Sequence, residues 1–229
     1  MSPLTVYIVD DEEAVRRQIA DEVHLHLPGC AVRTFSSGEA FLDGANLQAH
    51  GVLVLDQKMT PGMSGSEVFD RLQKVQSPLC VVFLSANGTI PLVVEKMQMG
   101  AVSWLDKWGT VQERVDTLTK AQSLAREKLV RWSDLQSGRL RWERLTLREK
   151  QVLAQAAVGK SSKEIAAHLS QRHFAFPIGY RVVENHRARA FAKLDVTSAP
   201  EALLFLNDHD LLSLAQDSLN QSPGLAKDE

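Results

Sequence analysis

Short apolar runs alternate with helix-period segments through the first half of the chain. The runs are Leu4–Val9, Ala31–Phe35, Gly51–Leu55, Leu79–Leu84 and Val102–Leu105. The last four start 20 to 28 residues apart, which leaves room for one helix between each pair. Val52–Leu55 and Leu79–Leu84 are apolar without interruption, the pattern of strands covered on both faces. This βα alternation predicts an α/β domain: a doubly wound, flavodoxin-like parallel sheet of five strands in the order 2-1-3-4-5. From Thr110 to about Arg131 the spacing of Val111, Val115, Leu118, Leu124 and Leu129 predicts a fifth helix running on into a linker. Ser137-Gly138 reads as a break in that pattern. Beyond it only helices are predicted, over about 147–158, 161–169, 180–194 and 198–207, with Ser161 or Ser162 and Ser198 as caps. Ser213–Glu229 is polar and acidic and reads as a frayed end. The expected organisation is an α/β domain over 1–120, a linker helix over 121–140, an all-α four-helix domain over 141–208 and an acidic tail over 209–229.

Composition narrows the class. A chain of 229 residues with 44% hydrophobic and 24% charged side chains is not mainly disordered, and its length suits one large domain or two small ones. No apolar run approaches the roughly 18 residues of a membrane span. Met1 to Asp11 lacks the basic start of a signal peptide, so a cytoplasmic location is expected. Cys30 and Cys80 are too few for a disulfide framework or a zinc site. Charge is unevenly placed. Residues 1–138 carry 13 basic and 17 acidic side chains, residues 139–206 carry 12 and 6, and residues 207–229 carry 1 and 5. A basic segment between acidic flanks fits a nucleic-acid-binding module or a solvated charged surface, and composition does not choose between them.

The polar residues at strand ends carry the chemistry. Asp10 and Asp11 follow the first strand and Asp56 the third, so the sheet order brings three carboxylates to one carboxyl edge. Such crowding raises their pKa values unless a cation sits among them, and an all-oxygen set selects a hard ion, Mg²⁺ or Mn²⁺. Ser85 and Lys107 end the fourth and fifth strands and add a hydroxyl and an ammonium. Each piece alone has an ordinary explanation: a solvated turn, a helix cap, a surface lysine. Together they supply what phosphoryl transfer to Asp56 requires.

The stretches Val9-Asp10-Asp11-Glu12, Leu55-Asp56-Gln57-Lys58-Met59, Met63-Ser64-Gly65, Leu84-Ser85-Ala86 and Leu105-Asp106-Lys107 resemble the receiver domain of two-component response regulators. Asn87-Gly88-Thr89-Ile90-Pro91 and Met99-Gly100-Ala101-Val102 resemble its FixJ-type branch. The resemblance implies that Asp56 accepts phosphate from a sensor histidine kinase. It also implies that Asp10, Asp11, Asp56 and the Lys58 carbonyl hold Mg²⁺, and that Ser85 and Lys107 read the phosphoryl group. Trp104 falls where the family places an aromatic switch residue, or else is a buried edge-strand aromatic. Two departures stand out. Thr60 intervenes before Pro61, making the loop after Asp56 one residue longer than the family pattern, and Trp108 replaces the usual proline after the lysine, so no cis peptide is expected there.

The basic segment opens with Leu145-Thr146-Leu147-Arg148-Glu149-Lys150-Gln151-Val152-Leu153, and Gly159–Ala166 starts the next helix. On the third helix Phe191 and Leu194 share one face, while Arg181, Glu184, Asn185, Ala188 and Arg189 occupy another. Arg and Asn suit bidentate contacts to guanine and adenine in a major groove. These segments resemble the LuxR-type helix-turn-helix domain of FixJ/NarL regulators, and the candidate DNA-contacting set is Lys163, Arg181, Glu184, Asn185, Ala188 and Arg189. Residues 170–177 make the connection to the recognition helix roughly seven residues longer than the pattern, so they either bulge outward or extend the supporting helix. His173, Phe174 and Phe176 read as packing or partner contacts, not a metal site.

The expectation is a phosphorylation-dependent DNA-binding transcription regulator, not an enzyme beyond assisting its own phosphorylation and dephosphorylation. Its expected partners are a sensor kinase, double-stranded DNA and a second copy of itself. The homodimer would use Leu92, Val93, Val94, Met97 and Met99 of the fourth helix together with the fifth strand. The rivals are an aspartyl-phosphate phosphatase or phosphotransferase, and a phosphate-independent regulator that keeps the receiver fold and switches by partner binding.

Overall fold

The structure, a computed structural model, describes residues 4–86, 88–173 and 178–221. The chain divides into two units, Met1–Val130 and Arg131–Glu229. In the first, the five apolar runs become β1 (Thr5–Val9), β2 (Ala31–Phe35), β3 (Gly51–Asp56), β4 (Cys80–Ser85) and β5 (Ser103–Asp106). They pair in parallel in the order β2-β1-β3-β4-β5, as the alternation predicts. The connecting helices are α1 (Glu13–His26), α2 (Gly38–Gly44), α3 (Gly65–Lys74) and α4 (Ile90–Gln98), and α5 (Val111–Glu143) follows β5.

Strand alternation sends side chains to two cores. Val6, Ile8, Val52, Val54, Val82 and Leu84 pack against Ile19 and Val23 of α1 and Leu118, Ala121 and Ala125 of α5. Tyr7, Val9, Leu53, Leu55, Val81 and Phe83 pack against Phe41 of α2 and Val68, Phe69 and Leu72 of α3. Full burial of a side chain such as Leu53 or Phe69 contributes about 1.5–3 kcal/mol, so β3 and β4, buried along their whole lengths, form a rigid floor for the residues at their ends. On α4, by contrast, the one buried residue is Lys96, whose ammonium bonds Asp70 of α3 at 2.8 Å and Glu95 at 2.9 Å.

The second unit holds α6 (Leu147–Ala157), α7 (Ser162–His173), α8 (Tyr180–Leu194), α9 (Ala199–Asp208) and α10 (Leu212–Asn220). Thr146 and Glu149 form a capping box at the start of α6, and Ser198 caps α9. One core gathers Trp142, Leu145, Leu153, Ala190, Leu194, Ala202 and Leu206, and a second gathers Val152, Ile165, Leu169 and Val183.

Three expectations change here. The helix α5 runs unbroken through Ser137-Gly138, because Gly138 is a packing glycine: a Cβ there would lie 1.9 Å from Cδ2 of His209. The supporting helix α7 continues to His173, past the 169 expected from the sequence, and the N–H of Ile178 donates to Ser170 Oγ at 2.9 Å. Phe174 and Phe176 lie outside the described residues, as does the side chain of His173. Finally, the supposed frayed end contains α10, and Leu211 at its N-cap joins the core together with Ala215 and Leu219. Gln151 Nε2 donates to the carbonyls of Ser218 and Gln221 at 3.0 and 2.9 Å, which ties the end of α10 to α6.

Candidate phosphoryl site and nucleic-acid interface

Register converges the strand-end residues. Val9 lies beside Leu55 and Asp56 beside Leu84, which brings Asp10, Asp56 and Ser85 to one edge. The backbone N–H of Lys107 donates to the Ser85 carbonyl at 3.0 Å, extending the ladder just past β5. All four residues are buried. A cleft of about 130 Å³ opens over them, lined by Glu12, Asp56, Lys58, Ser85, Ala86, Lys107 and Trp108.

Carboxylate oxygens of Asp10, Asp11 and Asp56 lie within 4.8 Å of one another. Burial, and then the Asp10 charge, push the Asp56 carboxyl above its ordinary range, and burial does the same to Asp10. The set fits a divalent cation. It is oxygen-only, and the buried Asp10 Oδ2 has no hydrogen-bond donor aligned on it among the described residues, although Lys107 Nζ lies 2.9 Å away. The Lys107 ammonium also meets Glu12 Oε1 at 2.8 Å and Asp56 Oδ2 at 3.2 Å. Burial works against its charge, but these carboxylates outweigh burial and raise its pKa.

The loop after Asp56 is fixed by backbone donors. Lys58 N–H donates to Asp56 Oδ1 at 3.3 Å, and the N–H of the extra residue Thr60 donates to Asp11 Oδ2 at 3.2 Å. Met63 N–H donates to Glu39 Oε1 at 2.8 Å. Ser64 and Glu67 then build a capping box, so Met63-Ser64-Gly65 is the start of α3. The one cis peptide among the described residues is Thr60–Pro61, and none is found at Lys107–Trp108. Trp108 is 72% exposed at the rim of the cleft. Trp104 is half-buried and stacks on Phe83 with centroids 4.7 Å apart, and its indole also packs against Gly88 in the loop after Ser85.

Several contributors escaped the motif reading. Glu12 bonds Lys107, and Arg16 Nη1 donates to the Asp10 and Asp11 carbonyls at 2.7 and 3.0 Å. Arg114 of α5 makes a buried bidentate pair with Glu22 of α1, at 3.0 and 2.6 Å, and donates to the Gly109 carbonyl two residues beyond Lys107. The acidic run Asp10–Glu13 was a signal for Glu12; nothing local marked Glu22 and Arg114.

In the second unit the sequence-selected residues share exposure, not a pocket. Arg181, Glu184, Asn185, Ala188 and Arg189 are exposed on α8, and Lys163 is exposed on α7. The opposite face of α8 is held by Val183, Ala190 and Leu194 in the two cores. Lys193 Nζ bonds the buried Glu149 of α6 at 2.6 Å and the Arg144 carbonyl at 3.1 Å, which pins the end of α8. Such a helix, with its apolar face anchored and a basic, amide-bearing face open, can enter a DNA groove.

Comparison with known proteins agrees with this geometry. Residues 6–119 match the response regulator receiver domain, and residues 143–206 match the luxR family of bacterial regulatory proteins. The transcriptional regulatory protein FixJ of Rhizobium meliloti is 36% identical over 202 residues, covering 87% of this chain and 93% of its own. The tetrathionate response regulatory protein TtrR of Salmonella typhimurium is 33% identical over 199 residues, covering 87% and 90%. Among solved structures, the response regulator StyR superposes with a TM-score of 0.76 at 31% identity, covering 90% of this chain and 98% of its own. A receiver with an acidic, lysine-capped edge and a luxR-type helical unit lie in one chain, and the chain belongs to the FixJ/NarL family of response regulators.

Proposed function

We propose that the chain is a phosphorylation-dependent transcription regulator of a two-component system, in which Asp56 accepts phosphate from a sensor histidine kinase and the luxR-type unit binds double-stranded DNA. The observation that carries this reading is the convergence of Asp10, Asp11, Asp56, Ser85 and Lys107 at one sheet edge beneath a cleft. Asp56 acts as nucleophile through a carboxylate oxygen, and its attack on phosphorus displaces the histidine nitrogen. Lys107, 3.2 Å from Asp56 Oδ2, is placed to neutralise the arriving group, and the Ser85 hydroxyl to bond it. Asp10, Asp11, Asp56 and the Lys58 carbonyl would hold Mg²⁺, which when bound offsets the charge of the phosphoryl oxygens. Trp104, packed on the loop that follows Ser85, is suited to sense a shift of that hydroxyl.

No helix among the described residues is long and apolar enough to cross a membrane, and a cytoplasmic location is part of the same proposal. Acetyl phosphate with Mg²⁺ should add one phosphate to the native protein and none to Asp56→Asn, with EDTA blocking the reaction. Native protein left unmodified under saturating donor would overturn the reading. It would favour regulation by partner binding, the alternative that the lengthened Asp56 loop keeps in view.

A further inference from the structure

The acidic triad does not account for everything around Lys107. Its ammonium has three anionic neighbours, Glu12 Oε1 at 2.8 Å, Asp10 Oδ2 at 2.9 Å and Asp56 Oδ2 at 3.2 Å. Asp10 and Asp56 belong to the metal-fitting triad, and Glu12 does not. A cation in the triad would withdraw those two partners from the ammonium and leave Glu12 with it, and a phosphoryl group on Asp56 would have to compete with Glu12 for it. Its carboxylate is no stray surface group, because the chain beneath it is fixed. Glu12 N–H donates to Asp10 Oδ1 at 2.8 Å, Arg16 holds the Asp10 and Asp11 carbonyls, and α1 starts at the next residue. Its side chain, 55% exposed, reaches from the cleft rim to a lysine side chain only 5% exposed.

We infer that Glu12 is a positioning residue that draws Lys107 outward, favouring the metal in the triad and opposing the phosphoryl group on Asp56. The inference rests on the reading of Asp56 as phosphoryl acceptor. Two physical effects act together. Glu12 takes a share of the ammonium, which leaves the oxygens of Asp10 and Asp56 freer for a divalent cation. It also adds negative charge beside the cleft, which attracts that cation and repels a phosphoryl dianion. Removing its charge should therefore move the two affinities in opposite directions. A residue that merely supports the fold would move both the same way.

The test is calorimetric titration of the full chain with Mg²⁺ alone, then with beryllium fluoride, an acyl-phosphate mimic, at saturating Mg²⁺. Glu12→Gln keeps the shape and removes the charge, and Glu12→Ala serves as a second variant. Both should weaken Mg²⁺ binding by about three- to tenfold and tighten beryllium fluoride binding by a similar factor, the scale of one partly screened charge. Adding Lys107→Met should reduce the Mg²⁺ effect of Glu12→Gln, since part of that effect passes through the ammonium. Loss of both affinities, no change in either, or an undiminished Mg²⁺ effect in the Lys107→Met protein would overturn the assignment. Failure of the native protein to bind beryllium fluoride at all would instead strike at Asp56 as acceptor, while the Mg²⁺ titrations would still report on Glu12 and Lys107.

Discussion

A methyl group at position 65 would sit 2.3 Å from the Asp56 carbonyl oxygen and 3.0 Å from the Gln57 Cα. The helix α3 can therefore begin against the backbone of Asp56 only through glycine. Gly65→Ala should cost about 1–3 kcal/mol, as overpacking against rigid backbone does, and should lower acetyl phosphate labelling by shifting Asp56. Chemical denaturation and intact mass measure the two effects. At this scale the sequence exposed the charged strand ends well, since Asp10, Asp11, Asp56, Ser85 and Lys107 follow apolar runs that announce themselves. It marked Glu12 only as one of an acidic run, its partner lying 95 residues away, and did not mark Arg114, whose partner lies 92 residues away.

Among elements, two ion pairs act as ties, one buried on both sides and one with its lysine exposed. Arg114 and Glu22 join α5 to α1 beneath the loop that carries Lys107, and both are nearly fully buried. Arg114→Met would leave the Glu22 carboxylate without its cation, held only by the Gln18 amide at 3.0 Å, and urea unfolding should show a loss of about 3–5 kcal/mol. Glu149 and Lys193 join α6 to α8. Burial alone would raise the Glu149 pKa, but the bond from Lys193 and the backbone cap outweigh it and hold the carboxyl below its ordinary 4.5. A lowered carboxyl contributes stability that is complete above the unfolded-state pKa and is lost as pH falls through the folded one. The thermal midpoint of the helical unit should thus fall on acidification below about pH 4.5, and Glu149→Gln should flatten that part of the profile. The element pattern was legible where periodicity was local, as in the five strands and in α8. It misled at Gly138, where a glycine that usually punctuates a helix instead admits a distant imidazole. It also passed over α10, because Leu211, Ala215 and Leu219 sit at helical spacing in a segment otherwise polar enough to resemble a tail.

At the scale of the molecule, a net −4 over residues 1–138 and +6 over 139–206 separate an acidic input from a basic output. DNA affinity should accordingly fall steeply with salt. In a binding titration at several salt concentrations, Arg181→Ala and Arg189→Ala should each weaken affinity, and Asn185→Ala should relax base preference by about 1–3 kcal/mol. Unchanged affinity in both arginine variants would remove α8 from the interface. On α4, Ile90, Val94, Met97 and Met99 are exposed, an apolar patch that suits a symmetric partner. Phosphorylated protein should approach twice the monomer mass in light scattering, and charges introduced at Val94 and Met97 should hold it at one.

The helix α10 lies beyond residue 206, where the match to the luxR family ends, yet it completes the core around Trp142 and Leu206. A stop codon placed just after Asp208 would leave every residue of the Asp56 edge and of both sheet cores in place. The DNA-binding half would lack Leu211, Ala215 and Leu219, along with the two carbonyls that receive Gln151. On the proposed reading, the product of such an allele would still accept phosphate but would not bind DNA. Expressed beside the intact gene it should act as a dominant sink, and a nonsense mutation just after Asp208 would behave genetically as an inhibitor rather than as a null.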